Sequence, residues 1–310
     1  MSVLPAEVAD AVVRSLIGDA KRVVVKVGSQ VLCGPDGLIL DPILRGLCAV
    51  LAEQIGRGRQ VVLVSSGAVA TGRGATGQVP GAAETGGALG KQALAAIGQS
   101  VLMARYRELL SPHGIVVGQV LLTHADLGDR RRFLHARRVV SELLAYGALP
   151  VVNENDTVAV EEIKFGDNDA LAAQVAQLVE ADVLVLLTEV DGLFTADPRL
   201  DPNATLLQAV GANDEAALAI AGESSGTFGT GGMRSKVLAA QRAASVGIPT
   251  VVAHGQKPEQ LTAILEGSAV GTVFIPAARK FTGKRKWIVS SVRPKGTVTL
   301  DRGAALAMLR

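Results

Sequence analysis

Arg22-Val23-Val24-Val25-Lys26-Val27-Gly28-Ser29 is the stretch that decides the fold: a short, β-branched apolar run that ends in a lysine, a glycine and a serine. A continuous apolar run of this length, bounded by a glycine, reads as a strand buried on both faces. The same grammar recurs at Val61 to Val64, Val116 to Leu122, Leu149 to Val152, Val183 to Leu187 and Thr250 to Ala253. Between these runs lie stretches of helical length and pattern: Pro42 to Ile55, Lys91 to Leu110, Arg132 to Tyr146, Ala170 to Glu180 and Met233 to Val246. Strand and helix in alternation predict βαβ units and an α/β fold, a mainly parallel central sheet with helices on both faces. Ligands then bind beyond the C-terminal ends of the strands.

Composition points the same way. Of the 310 residues 48% are hydrophobic and only 3% aromatic, so the core is built from Val, Leu and Ala, enough for one large domain and unlike a disordered chain. No apolar run approaches the roughly 18 residues of a membrane span, and the first residues, with Glu7 and Asp10, do not read as a secretory signal, so a cytoplasmic protein is expected. Cys33 and Cys48, the only cysteines, have no metal-ligand spacing and are expected as reduced, buried thiols. The net charge of +2 is uneven: residues 279–310 carry nine Lys or Arg against Asp301 alone. That basic tail contains a strand, turn and strand pattern around Trp287 and Pro294-Lys295-Gly296, and is too short to bury a core. The expected division is an N-terminal extension (1–20), one α/β domain (21–276) and the tail (277–310).

Polar clusters follow the strands. Lys26 beside Gly28 suits a phosphate, or is a surface lysine before a turn. Ser65-Ser66-Gly67-Ala68 offers hydroxyls and N–H groups to an anion such as a carboxylate, or forms only a tight turn. Gly72-Arg73-Gly74-Ala75-Thr76-Gly77 matches a dinucleotide-binding spacing on paper, but does not sit on the strand end and lacks the later acidic residue, so that reading is rejected. Asn153-Glu154-Asn155-Asp156-Thr157 and Gly166-Asp167-Asn168-Asp169 concentrate more amides and carboxylates than turns require, which favours a polar ligand. After Leu187-Thr188-Glu189, a glycine-rich run through Thr230, Gly231 and Gly232 opens a helix with Met233, Arg234, Ser235 and Lys236. A glycine-rich loop at a helix N-terminus suits phosphates, the alternative being a flexible linker.

In this order the clusters resemble the amino-acid kinase family. Further matching segments are Lys91-Gln92-Ala93 through Gly98-Gln99, Arg130-Arg131-Arg132-Phe133-Leu134, Glu162-Ile163-Lys164-Phe165 and Asp191-Gly192-Leu193, and the resemblance covers about residues 20–275. It implies an eight-stranded three-layer αβα sandwich and phosphorylation of the side-chain carboxylate of L-glutamate by ATP with Mg²⁺, in proline biosynthesis. Lys26 and Lys236 would lie along the transferred phosphoryl group, with Asp169 holding both lysines. Ser66, Asp156 and Asn168 would bind glutamate. Lys26, Thr188, Glu189 and the run Thr230, Gly231, Gly232, Met233, Arg234, Ser235 and Lys236 would hold ATP, with no protein metal site. The resemblance also implies proline feedback inhibition, a homodimer or homotetramer, and transfer of the product to a downstream glutamyl phosphate reductase. The tail resembles the first strands of a PUA domain. The chain departs from the family pattern at Glu189, where Asp is usual, at Ala172, at His135 and at Arg234-Ser235. Rival readings are a kinase of aspartate, N-acetylglutamate, carbamate or UMP, and a non-catalytic RNA-binding protein using the basic tail. RNA binding leaves the two lysines and the glycine-rich run unexplained.

Overall fold

The computed structural model describes residues 6–77, 87–159, 168–222 and 232–277, together with Trp287, Asp301 and Gly303. Its eight strands are β1 (Arg22–Val27), β2 (Gln60–Ser65), β3 (Val117–Leu122), β4 (Leu149–Glu154), β5 (Val183–Thr188), β6 (Ala209–Gly211), β7 (Thr250–His254) and β8 (Thr272–Ile275). They form one sheet in the order β3-β4-β2-β1-β5-β7-β8-β6. The neighbouring pairs from β3 to β7 are parallel; β8 runs antiparallel to β7 and parallel to β6. The six strands expected from sequence are all present. The two that sequence patterning missed have three and four residues, too short to show a period.

Alternation along the strands divides the core in two. Val23, Val25 and Val27 face one layer, with Leu44, Leu47 and Leu51 of the helix Asp41–Gly56 and Leu102 and Tyr106 of the helix Gly87–Leu110. Val24 faces the opposite layer, formed by the helices Arg130–Ala145, Asn168–Leu178 and Met233–Ser245. The architecture is the three-layer αβα sandwich. Residues 6–17, within the expected extension, form a helix whose Val13 and Ile17 are fully buried against the first layer. Arg59 ties this end together by donating to the carbonyls of Gly18 (3.2 Å), Ala20 (3.0 Å) and Leu265 (2.8 Å).

The rejected dinucleotide motif has a packing role. Residues Ala68–Thr76 form a helix entered through Gly67, whose φ of 99° is left-handed. A Cβ at Gly72 would lie 2.0 Å from the Leu94 carbonyl oxygen, and one at Gly98 would lie 1.8 Å from that of Ala68. The glycines therefore let this helix and Gly87–Leu110 touch backbone to backbone. In the tail, Trp287 donates from Nε1 to the Leu127 carbonyl (3.1 Å) and meets Phe133 edge-on, and the Arg130 guanidinium lies 5.3 Å from the Trp287 ring centroid. The strand, turn and strand pattern expected after it lies outside the described residues.

Candidate active site

β1 sits where the sheet's connectivity reverses: β2 leads away on one side and β5 begins the other, so the crevice at its C-terminal end is the expected ligand position. Lys26 falls on the same face as Val24 and thus points toward the helices Asn168–Leu178 and Met233–Ser245. There its ammonium pairs with Asp169 Oδ1. Lys236, in the first turn of the helix Met233–Ser245, reaches Asp169 Oδ2 at 3.2 Å. Asp169 is fully buried, and Lys26 and Lys236 are 4% and 8% exposed, so the triad lies in a low-dielectric setting where each charge needs the others. Burial pushes the Asp169 carboxyl up, but the ammonium groups of Lys26 and Lys236 outweigh it and hold the group below the usual carboxylate range. Ser235 adds a hydroxyl donor to Asp169 Oδ2 (3.0 Å) and also lies 2.9 Å from the Gly232 carbonyl. Ser235 is one of the residues expected to hold ATP, and its hydroxyl contacts Asp169.

On the β2 and β4 side the polar residues form a connected chain. Asn168 Nδ2 donates to Ser66 Oγ (2.8 Å) and to Asn153 Oδ1 (2.9 Å), and Asn153 Nδ2 donates to Gln99 Oε1 (2.8 Å). Ser65 donates to the Ser66 carbonyl (3.1 Å) and so accepts from the Tyr106 hydroxyl at 2.7 Å. Gln92 holds the Ala159 carbonyl (2.7 Å), in the loop that follows Asp156. Asp156 is half-buried, and burial raises its carboxyl above the ordinary value. Asn153, Gln99 and Tyr106 were not among the expected site residues. Their signal is the spacing of Gln92, Gln99 and Tyr106, seven residues apart and so on one stripe of the helix Gly87–Leu110.

On the β5 side, Thr188 is buried at the strand's end, and its carbonyl accepts from the Gly255 N–H (2.7 Å). With its NH₂ turned toward Glu189, Gln30 donates to both carboxylate oxygens (3.3 and 3.1 Å), so the longer side chain at this position has a partner. Gly232 caps the helix that Met233 begins, and Arg234 is exposed. Thr230 and Gly231 lie outside the described residues, as do Gly166 and Asp167. His135 is exposed, and both cysteines are free and buried as expected. No helix among the described residues is long and apolar enough to cross a membrane.

Comparison with known proteins places this chain in a family. The amino acid kinase family matches residues 21–254, and the chain belongs to that family. Within it the similarity is to glutamate 5-kinases: that of Geobacter sp. (strain M21) is 46% identical over 96% of this chain and 79% of its own length. The glutamate 5-kinase of Meiothermus ruber is 45% identical over 93% of this chain and 75% of its own length. Among solved structures, a UMP kinase from Bacillus anthracis shares the fold, with a TM-score of 0.56 at 17% identity over 84% of this chain and 97% of that one.

Proposed function

We propose that the protein transfers the γ-phosphoryl group of ATP to the side-chain carboxylate of L-glutamate, giving L-glutamyl 5-phosphate at the start of proline biosynthesis. The observation that carries this reading is the buried pairing of Asp169 with Lys26 and Lys236, beside a polar chain ending in Asn168 and Ser66. Glutamate's carboxyl, with an ordinary pKa near 4.3, is ionised at neutral pH and needs no general base. A carboxylate oxygen attacks the γ-phosphorus in line, a new P–O bond forms, the bond to the β–γ bridging oxygen breaks, and ADP leaves with its electron pair. Catalysis is then electrostatic: Lys26 and Lys236 spread the charge of the transferring group, and Asp169 keeps both ammonium groups fixed.

Ser66, Asp156 and Asn168 are assigned to glutamate, and Lys26, Thr188, Glu189 and residues 230–236 to ATP, with Ser235 acting through Asp169. Mg²⁺ would arrive with ATP and offset its phosphate charge, as an ion that keeps several waters and takes few protein ligands. Among the described residues no cluster of three His, Cys, Asp or Glu is arranged to hold a metal. The product is an acyl phosphate prone to hydrolysis, which suits direct transfer to a glutamyl phosphate reductase. A cytoplasmic homodimer or homotetramer with proline feedback belongs to the same reading. Incubation with MgATP and a panel of amino acids, trapping acyl phosphate as hydroxamate, tests it: glutamate alone should give product, and product from aspartate or N-acetylglutamate instead would refute it.

A further inference from the structure

The amide chain beside the catalytic lysines has a fixed direction, set by one backbone proton. The Glu154 N–H donates to Asn153 Oδ1 (2.9 Å), so this end of the Asn153 amide is the oxygen. Its other end, Nδ2, must then be the donor facing Gln99, which presents Oε1 at 2.8 Å. Because Asn153 Oδ1 also accepts from Asn168, the Asn168 amide turns Nδ2 inward and Oδ1 outward. Asn168 Oδ1 is buried and has no hydrogen-bond partner among the described residues. A buried acceptor left unpaired costs about 1–3 kcal/mol, so a position that holds one needs a donor from elsewhere. The same bookkeeping applies to Ser66: its Oγ accepts from Asn168 (2.8 Å), which leaves the hydroxyl proton to donate outward. The site thus offers an acceptor and a donor on adjacent side chains, matched to the ammonium and the α-carboxylate of a free α-amino acid.

We infer that Gln99 is a positioning residue for substrate selection: the Glu154 N–H sets the direction of the Asn153 amide, and Gln99, by anchoring its Nδ2 end, holds it in place so that Asn168 Oδ1 is presented to the α-ammonium of the substrate. The inference rests on the proposed glutamate kinase reading and adds to it how a free amino group is selected. Gln99 itself touches no substrate. It is 9% exposed and lies in the layer opposite Asn168, so the relay crosses the top of the sheet from one helical layer to the other. An ammonium has three protons to place; Asp156 takes a charge-assisted hydrogen bond and Asn168 Oδ1 another. An N-acylated amino acid, with one N–H and no charge, cannot satisfy both.

The test measures the KM for L-glutamate and the competitive Ki of glutarate, which lacks only the ammonium, both at saturating MgATP. Failure of the unaltered protein to phosphorylate glutamate would refute the kinase reading itself, and is seen before any variant is made. Gln99→Met keeps length and removes the acceptor. The expected result is a KM for glutamate raised about tenfold, with the glutarate Ki, kcat and the KM for ATP all within about twofold. Gln99→Glu, which can still accept from Asn153, should restore most of the preference. If Gln99→Met does not fold, Gln99→Asn, polar but too short to reach Asn153, is measured in its place. A folded variant with unchanged glutamate KM, or one that loses glutamate and glutarate equally, would overturn the assignment.

Discussion

Replacing Asp169 by asparagine removes the single carboxylate that two buried lysines share. The side chain keeps its shape but loses its negative charge beside two ammonium groups, in a position with no solvent exposure. Breaking a buried ion pair from one side costs about 3–5 kcal/mol, because the remaining charge stays buried without compensation. At roughly 2–4 °C per kcal/mol for a domain of this size, the Tm should fall by about 6–20 °C. The pH dependence carries a sign that can be checked. The folded-state pKa of Asp169 lies below its unfolded value, so the stabilisation is fully present above about pH 4 and is lost as acid drives the pH down through the folded value. Below that range the wild-type advantage over Asp169→Asn should vanish. Catalysis should suffer more than stability: with both lysines freed to drift, kcat should drop by at least about 100-fold. Thermal melts from neutral pH down into strong acid and the hydroxamate assay measure both effects. A Tm within about 2 °C of wild type at pH 7, or a kcat within about threefold, would refute the argument that Asp169 holds the lysines.

Asp156→Ala should raise the KM for glutamate about 10- to 100-fold while leaving that for ATP unchanged. Because burial raises the Asp156 carboxyl, its ionised form destabilises the ligand-free fold at neutral pH, so the variant should melt no lower than wild type; a lower Tm with unchanged KM would make Asp156 a turn residue instead. Gly98→Ala places a methyl 1.8 Å from the Ala68 carbonyl oxygen and should destabilise by about 1–3 kcal/mol or more, read as a lower Tm; an unaltered melt would contradict the backbone contact. A chain ending at Pro276 should keep kinase activity; among the described contacts it loses those of Trp287 and the hydrogen bond from the Ala277 N–H to the Ala244 carbonyl (3.0 Å), worth about 1–3 kcal/mol and so a few degrees of Tm. Loss of activity together with a collapsed melt would show the tail to be integral.

The buried strands were legible in the sequence because a strand covered on both faces must be apolar throughout, as Val183 to Leu187 is. Lys26 stood out by breaking such a run, and Asp169 by following a cluster too polar for a turn. β6 and β8 were not legible: with three and four residues they have no period, and they pair only because the long strands have already built an edge. The helix Ala68–Thr76 was hidden for another reason. Its glycines depress helix propensity, and what they provide, contact with the helix around Gly98, is a tertiary fact. Gln99 shares a helix stripe with Gln92 and Tyr106, but its role was hidden because its partner Asn153 lies on a distant strand. The direction of the amide chain, set by the Glu154 N–H, has no sequence signature at all.

The carboxylate of Asp169 belongs to a helix that follows β4, one ammonium to the strand at the centre of the sheet, and the other to a helix packed before β7. Their three charges meet at one buried point between the strand and the two helices. A hinge at that point would have to separate buried opposite charges, so the centre acts as a fixed fulcrum. The spacing between the two lysines is thereby set by the folded core itself, and their charge is assembled before any ligand arrives.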